Sequence, residues 1–344
     1  MRHRRLRPRL YELLVFANVL AVLGALRAVG GQPAIPWKLL GGIRLFLVPL
    51  AAYVAAAIAW RALAVAVREG GGRGRRFLAA TLRPASILDL VRLLVVACLS
   101  YFGHVWLKIL VPFLNPRLLD PALARLDAVL HFGLNPGPFA LALFPWPPLW
   151  RAVDVYYATF VPLTVAGLAW FLTTPSFPER ARFASGFALL WIGGAWLYVA
   201  CPSLGPCYVF PADWAEAGRS FPLQGAMQNL LMGHYRALLS AAARHETMRV
   251  IPLLGIGAMP SLHVAAHAFL AFFAWKRCRP LGLFFAAATV LTFYGSLVTG
   301  WHYAVDGYVG LLLAFVCWRL GEWMGAGGPS ASGRGRRPPA RRRF

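Results

Sequence analysis

Apolar residues in this chain are massed rather than alternated with polar ones. Eight long stretches, at 10–29, 39–67, 87–114, 150–172, 183–201, 261–277, 280–299 and 302–324, carry few charges. Several approach the roughly 20 residues that a helix needs to cross about 30 Å of hydrocarbon. Each is predicted as a helix, because a segment in lipid must satisfy its backbone hydrogen bonds internally. A membrane β-barrel would show short alternating segments, and the sequence has none. The expected fold is therefore all-α, a polytopic membrane helical bundle. Two longer connections stand out. Residues 115–149 are predicted to hold a short helix at 119–131 and a Pro/Trp-rich crossing, NPGPFALALFPWPPLW, at the interface. Residues 202–259 are predicted to hold a helix around 223–246 with one apolar side, lying on the membrane or as a surface lid.

Composition agrees with this pattern. Of the 344 residues 59% are hydrophobic and only 14% charged, against about a quarter charged in a soluble protein. The formal net charge of +23 would suggest nucleic acid in a soluble domain, but the positions of the arginines give another reason. With the N-terminus inside, the inner segments hold 21 basic residues and the outer loops hold 7, which is the positive-inside pattern. The charge sets topology and favours anionic lipid heads, and no nucleic-acid partner is expected. The opening MRHRRLRPR resembles the start of a signal peptide, but no small-residue cleavage site followed by a soluble domain is evident, so the first stretch is expected to remain as an anchor.

No internal repeat is visible. Residues 1–86 read as a basic N-terminus, an appended hairpin of two spans and the linker REGGGRGRR. Residues 87–324 read as a six-helix membrane domain, and 325–344 as a disordered basic cytoplasmic tail. A bacterial inner membrane suits the Ala/Arg-rich composition. The oligomeric state is left open.

Ionisable residues within a bilayer are costly and each needs a reason. His263, in MPSLHVAAH (259–267), and His302, in TGWHYAVDGYVG (299–310), both fall in the first turn of a span at its outer end. Two separate motifs thus reach one depth on one side. His302 and Asp306 are four apart on one helical face, so the carboxylate is expected to accept the ring proton and raise the basicity of the other nitrogen. Pro260 and Ser261 open the next helix at His263, where free N–H groups and the dipole favour an anion. A nucleophile, a proton donor and an anion site together point to phosphoryl transfer. His302 would attack phosphorus, Asp306 would stabilise its imidazolium, and His263, across the phosphate, would protonate the leaving oxygen.

PSLH (260–263) and HYAVD (302–306) resemble the second and third signature motifs of the type 2 phosphatidic acid phosphatase superfamily. The likeness is closer to the branch containing inositol phosphorylceramide synthase, an inositol phosphotransferase, where the last motif also begins His-Tyr. It covers roughly 87–324 and implies a six-helix bundle with its site at the outer face. By position it implies His302 as nucleophile, Asp306 as its orienting acid and His263 as proton donor. The family's cations are missing at two places: Ser296 stands six before His302 in place of an arginine, and the lysine–arginine motif expected after the third bundle span is CPSLGPCYVFP here. Transferase-like members share these losses.

Lys108, His104 and Asp154 lie near the same depth. Lys108 or Arg249 would replace the missing cation and Asp154 would position it; a Lys108–Asp154 ion pair joining two helices is the alternative. Ser261 and Tyr208 are further candidates for phosphate contacts. HVAAH has zinc-like spacing, but Val264 stands where the zinc protease motif needs glutamate. His267 therefore reads as a packing residue, and no metal or cofactor is expected. Cys201 and Cys207 would form a disulfide or simply pack as small residues at a helix end. The expected partner is a membrane lipid, a phospholipid or prenyl phosphate, with water or an alcohol as acceptor. A proton-coupled transporter is the competing class, though transporters usually show related halves.

Overall fold

The computed structural model describes residues 9–30, 37–215, 217–246 and 254–325. It is 83% helical, with no strand among the described residues. Helices α1 (Leu10–Ala28), α2 (Trp37–Glu69) and α3 (Gly71–Thr81) come first. Next is α4 (Pro84–Leu114), followed by the short α5 (Asp120–Leu130) and α6 (Pro136–Leu143). Then come α7 (Pro147–Ala158), α8 (Phe160–Leu172) and α9 (Phe177–Ala200). The one-turn α10 (Pro206–Val209) and α11 (Pro222–Ala243) lead to α12 (Leu262–Trp275), α13 (Arg279–Val298) and α14 (Ala304–Gly325). Helices α1, α4, α9, α13 and α14, and the Leu47–Glu69 part of α2, are long and apolar enough to cross a membrane. The chain is an integral membrane protein.

All eight predicted stretches contain helix, with three adjustments. The stretch at 150–172 is two helices bent by 44°. Pro162 explains the break, since it lacks the N–H that would bond to Ala158 and its ring crowds that carbonyl. Thr159 closes the gap by donating its hydroxyl to the Tyr156 carbonyl at 2.6 Å. The stretch predicted from 183 begins at Phe177, with Pro178 in its first turn, and takes in Arg180 and Arg182. The Arg/Gly linker is largely the helix α3, which lies back along α2. The N-terminal pair reaches the bundle at separate places, α1 along α4 and α9, α2 along α8. The tail beyond 325 and Arg249 lie outside the described residues.

Helix α9 is the axis of the bundle, with 61% of its span buried against 17% for α2. Phe171, Phe183, Phe269 and Phe273 fill the space around its first half, their rings 5.0 Å apart between Phe183 and either Phe171 or Phe273. In lipid, close packing rather than water exclusion holds helices together, so small residues matter at crossings. A Cβ on Gly321 of α14 would lie 2.8 Å from the Gly186 Cα of α9 and 2.7 Å from the Arg182 carbonyl. The ends carrying the basic turns are joined by ion pairs, Arg92–Glu12 at 2.6 Å and Arg277–Glu322 at 2.8 Å. The motif histidines lie at the opposite end.

Candidate active site

The PSLH and HYAVD segments are tied together through the main chain. The Ser261 N–H donates to the Asp306 carbonyl at 2.9 Å, while the Ser261 hydroxyl caps α12 by accepting from the Val264 N–H at 3.4 Å. This fully buried serine therefore holds a helix start and a second motif. The joint leaves no room for a side chain at Gly310, where a Cβ would meet the Ser261 carbonyl at 2.5 Å. Gly310→Ala is expected to separate the two segments, costing about 1–3 kcal/mol as overpacking, and to lower both the thermal midpoint in detergent and lipid turnover.

The two imidazoles touch. His263 Nδ1 lies 3.2 Å from His302 Nε2, with ring centroids 5.5 Å apart. A phosphorus was expected between them; in this structure they are hydrogen-bonded directly, so a substrate must part them. His302 Nδ1 lies 2.9 Å from the Ala258 carbonyl and 3.4 Å from Asp306 Oδ2. Both neighbours are acceptors, so Nδ1 carries the proton and Nε2 keeps its lone pair. The expected aspartate is at hand, and the Ala258 carbonyl is a second and nearer acceptor. Asp306 Oδ2 also accepts the Tyr303 N–H at 2.9 Å, and its fully buried Oδ1 has no partner among the described residues. Around His263 stand Phe160, with its ring 4.4 Å away, and Tyr157, 5.2 Å away. The break at Thr159 lets these residues on consecutive helices face one imidazole.

The loop after α9, where the family's first motif would stand, supports this pair through its backbone. Ser203 accepts the Ala258 N–H on its carbonyl at 3.0 Å and the Met259 N–H on its hydroxyl at 2.9 Å, which sets the Ala258 carbonyl that holds His302. Ser296 supplies no charge. Its carbonyl accepts the N–H groups of Trp301 at 3.0 Å and His302 at 3.3 Å.

Lys108 lies on α4 with its ammonium 5.2 Å from the Tyr198 ring centroid, within electrostatic reach of His263. It has no ion-pair partner among the described residues. Asp154 is committed elsewhere: its carboxylate accepts the N–H groups of Leu223 and Gln224, both at 2.9 Å, in the first turn of α11. Neither the positioning of Lys108 by Asp154 nor their ion pair is present, because the carboxylate caps a helix instead. The Tyr208 hydroxyl is likewise occupied, donating to the Gln228 carbonyl at 3.1 Å. His104 packs among the rings of Tyr101, Trp191 and Tyr198. His267 is buried with Nδ1 2.9 Å from the Thr292 hydroxyl, a packing role. Cys201 and Cys207 are both free thiols, and no group of three metal-ligating side chains occurs among the described residues.

Two residues escaped the sequence reading. Asp127 accepts the N–H groups of Ala304 at 2.7 Å and Val305 at 2.8 Å, capping α14 beside His302. Burial holds its carboxyl above the usual aspartate range, opposed by those two donors. Asp120 accepts the Leu204 and Gly205 N–H groups at 3.0 and 2.9 Å and the Tyr303 hydroxyl at 3.1 Å. They lie seven apart on α5, on one face, and a buried acid repeated at that spacing was the only signal available.

A family model described as the PAP2 superfamily matches residues 121–320. No curated protein and no solved structure matches the chain.

Proposed function

Since the chain belongs to the PAP2 superfamily, whose members point to a phosphatase- or phosphotransferase-type activity, we propose that it transfers the phosphoryl group of a membrane lipid through a phosphohistidine at His302. The observation that carries this reading is the setting of the His302 ring, with Nδ1 against two acceptors and Nε2 facing His263 Nδ1 at 3.2 Å. When the lipid phosphate enters, the His263–His302 hydrogen bond opens. Nε2 forms the bond to phosphorus as the bond to the leaving oxygen breaks, and His263, protonated, gives that oxygen its proton. The positive charge left on the His302 ring is stabilised by the Ala258 carbonyl and Asp306. Water or an alcohol then attacks phosphorus, returning the lone pair to Nε2 and a proton to His263. The His-Tyr start of the last motif and the uncharged Ser296 support the inositol phosphorylceramide synthase-like branch. The excess of basic residues at the end remote from the histidines supports a site on the extracytoplasmic face, in a bacterial inner membrane.

Lys108 supplies the missing phosphate charge. Its lack of an acidic partner and its nearness to His263 favour it. Lys108→Met is expected to lower kcat/KM about 10- to 100-fold, the worth of one charge-assisted hydrogen bond. Full turnover with unchanged KM would remove it from the site.

The direct test incubates membranes carrying wild type or His302→Ala with labelled phospholipids and prenyl phosphates. Mass spectrometry follows inorganic phosphate and new phosphodiesters. Phosphate released only by wild type identifies a phosphatase, and a new head-group lipid made only by wild type identifies a transferase. Identical profiles from the two proteins would sink the nucleophile assignment.

A further inference from the structure

The residues shared with the family begin at 121, so α4 and its Lys108 lie outside them. What ties Lys108 to the site is the loop that runs into PSLH. Two glycines two positions apart in that loop, Gly255 and Gly257, lie directly against it. A Cβ on Gly255 would stand 3.1 Å from the Lys108 Cγ and 3.0 Å from both the Lys108 carbonyl carbon and the Ile109 nitrogen. A Cβ on Gly257 would stand 3.3 Å from the Lys108 Cε and 3.1 Å from the Tyr198 ring. Ordinary contact between carbons is roughly 3.5–4.0 Å, so neither position takes a side chain unless a neighbour shifts.

These contacts give the lysine a direction. Its Cγ is beside Gly255 and its Cε beside Gly257, so the stem runs along the loop in the sense of the chain, toward Ala258 and His263. The buried ring of Tyr198 closes another side, with the ammonium 5.2 Å from its centroid. A lysine stem is ordinarily flexible; this one is confined from Cγ to Cε. The loop is itself held, since Ser203 accepts the Ala258 N–H at 3.0 Å and the Met259 N–H at 2.9 Å. Its Ala258 carbonyl lies 2.9 Å from His302 Nδ1. The stretch 255–263 thus seats the cation, orients the nucleophile and carries the proton donor.

We propose that Gly255 and Gly257 are positioning residues: their missing side chains let the loop close over Lys108 and hold its ammonium at the phosphate, so that a helix outside the family match completes the site. The inference rests on the proposed phosphoryl transfer and on Lys108 as its phosphate charge, and adds how that charge is placed. If a methyl group is added at Gly257, the Tyr198 ring cannot retreat in a close-packed core, and the end of the lysine stem is what yields.

The test probes the anion site with orthovanadate, competing with the lipid that wild type turns over and His302→Ala does not. Gly257→Ala is expected to raise KM and the vanadate Ki about tenfold, the worth of one displaced charge-assisted hydrogen bond, while kcat is nearly kept. Lys108→Met keeps a stem without the charge, so adding Gly257→Ala to it is expected to raise neither constant further. Equal rises in the two backgrounds would mark a general disturbance of the loop and overturn the proposal, as would wild-type constants in Gly257→Ala. Lys108→Arg leaves the loop intact and decides the matter if Gly257→Ala does not fold. A confined stem cannot set a forked guanidinium where the ammonium stood, so Lys108→Arg is expected to share the raised KM and Ki of Lys108→Met. Near-wild-type constants in Lys108→Arg would mean that charge alone suffices, and would overturn the confinement. Unchanged constants in Lys108→Met would instead strike Lys108 as the phosphate charge, and turnover retained by His302→Ala would strike the phosphoryl transfer.

Discussion

Alanine at His302 is expected to abolish lipid phosphoryl transfer, lowering kcat by at least about 10⁴-fold while leaving the thermal midpoint in detergent within a few degrees. The imidazole of His302 makes three contacts, to Ala258, Asp306 and His263. Removing it takes away the nucleophile and also the stabilised cation that follows bond formation. Residues acting as one unit are strongly non-additive, so His302→Ala and the double variant with His263→Ala are expected to be equally inactive. His263→Ala alone removes only the proton donor, worth about 10²–10⁴-fold. It also frees Nε2 from its resting hydrogen bond, so substrates with acidic leaving alcohols should be spared most. Steady-state rates on lipids with graded leaving groups measure this. A flat response across the series would deny His263 its acid role.

The second large effect is expected at Asp120, whose carboxylate holds Leu204, Gly205 and Tyr303. Asp120→Ala leaves the N–H groups of Leu204 and Gly205 and the Tyr303 hydroxyl without their shared acceptor. Each unpaired buried group costs about 1–3 kcal/mol, so a loss of roughly 3–5 kcal/mol is expected after partial hydration. Tyr303 directly follows His302, and Leu204 adjoins the Ser203 that holds Ala258. Both supports of the nucleophile therefore loosen together. Detergent melting and lipid turnover should fall in parallel, and Asp120→Asn, which keeps an acceptor, should restore part of each. A melting curve unchanged in Asp120→Ala would refute this account.

Much of the architecture was legible because lipid imposes it. Runs such as 280–299 and 302–324 had to be helices, and the arginine distribution put His263 and His302 at one end before any contact was known. The contacts themselves were less legible. Depth located Asp154 level with the histidines but not its direction around α7, which turns it to the start of α11. The linker REGGGRGRR is rich in glycine, a poor helix former, yet it is largely helical where it packs against α2. Asp120 and Asp127 bond to main-chain N–H groups more than 75 positions away, and no local pattern reports such a pairing. The Ala258 carbonyl, the nearest acceptor to the His302 ring, belongs to a residue whose side chain says nothing about it.

The three carboxylates of Asp120, Asp127 and Asp154 grip main-chain N–H groups at residues 204 and 205, 304 and 305, and 223 and 224. A carboxylate holding an amide reads no side chain. Each gripped position thus excludes proline, which has no N–H to offer, and Gly205 excludes every side chain as well, because its φ is +108° and a Cβ would meet the Trp301 carbonyl at 2.5 Å. Divergent descendants of this chain could rewrite the loops around the histidines, and with them the lipids they meet, while inheriting the same frame.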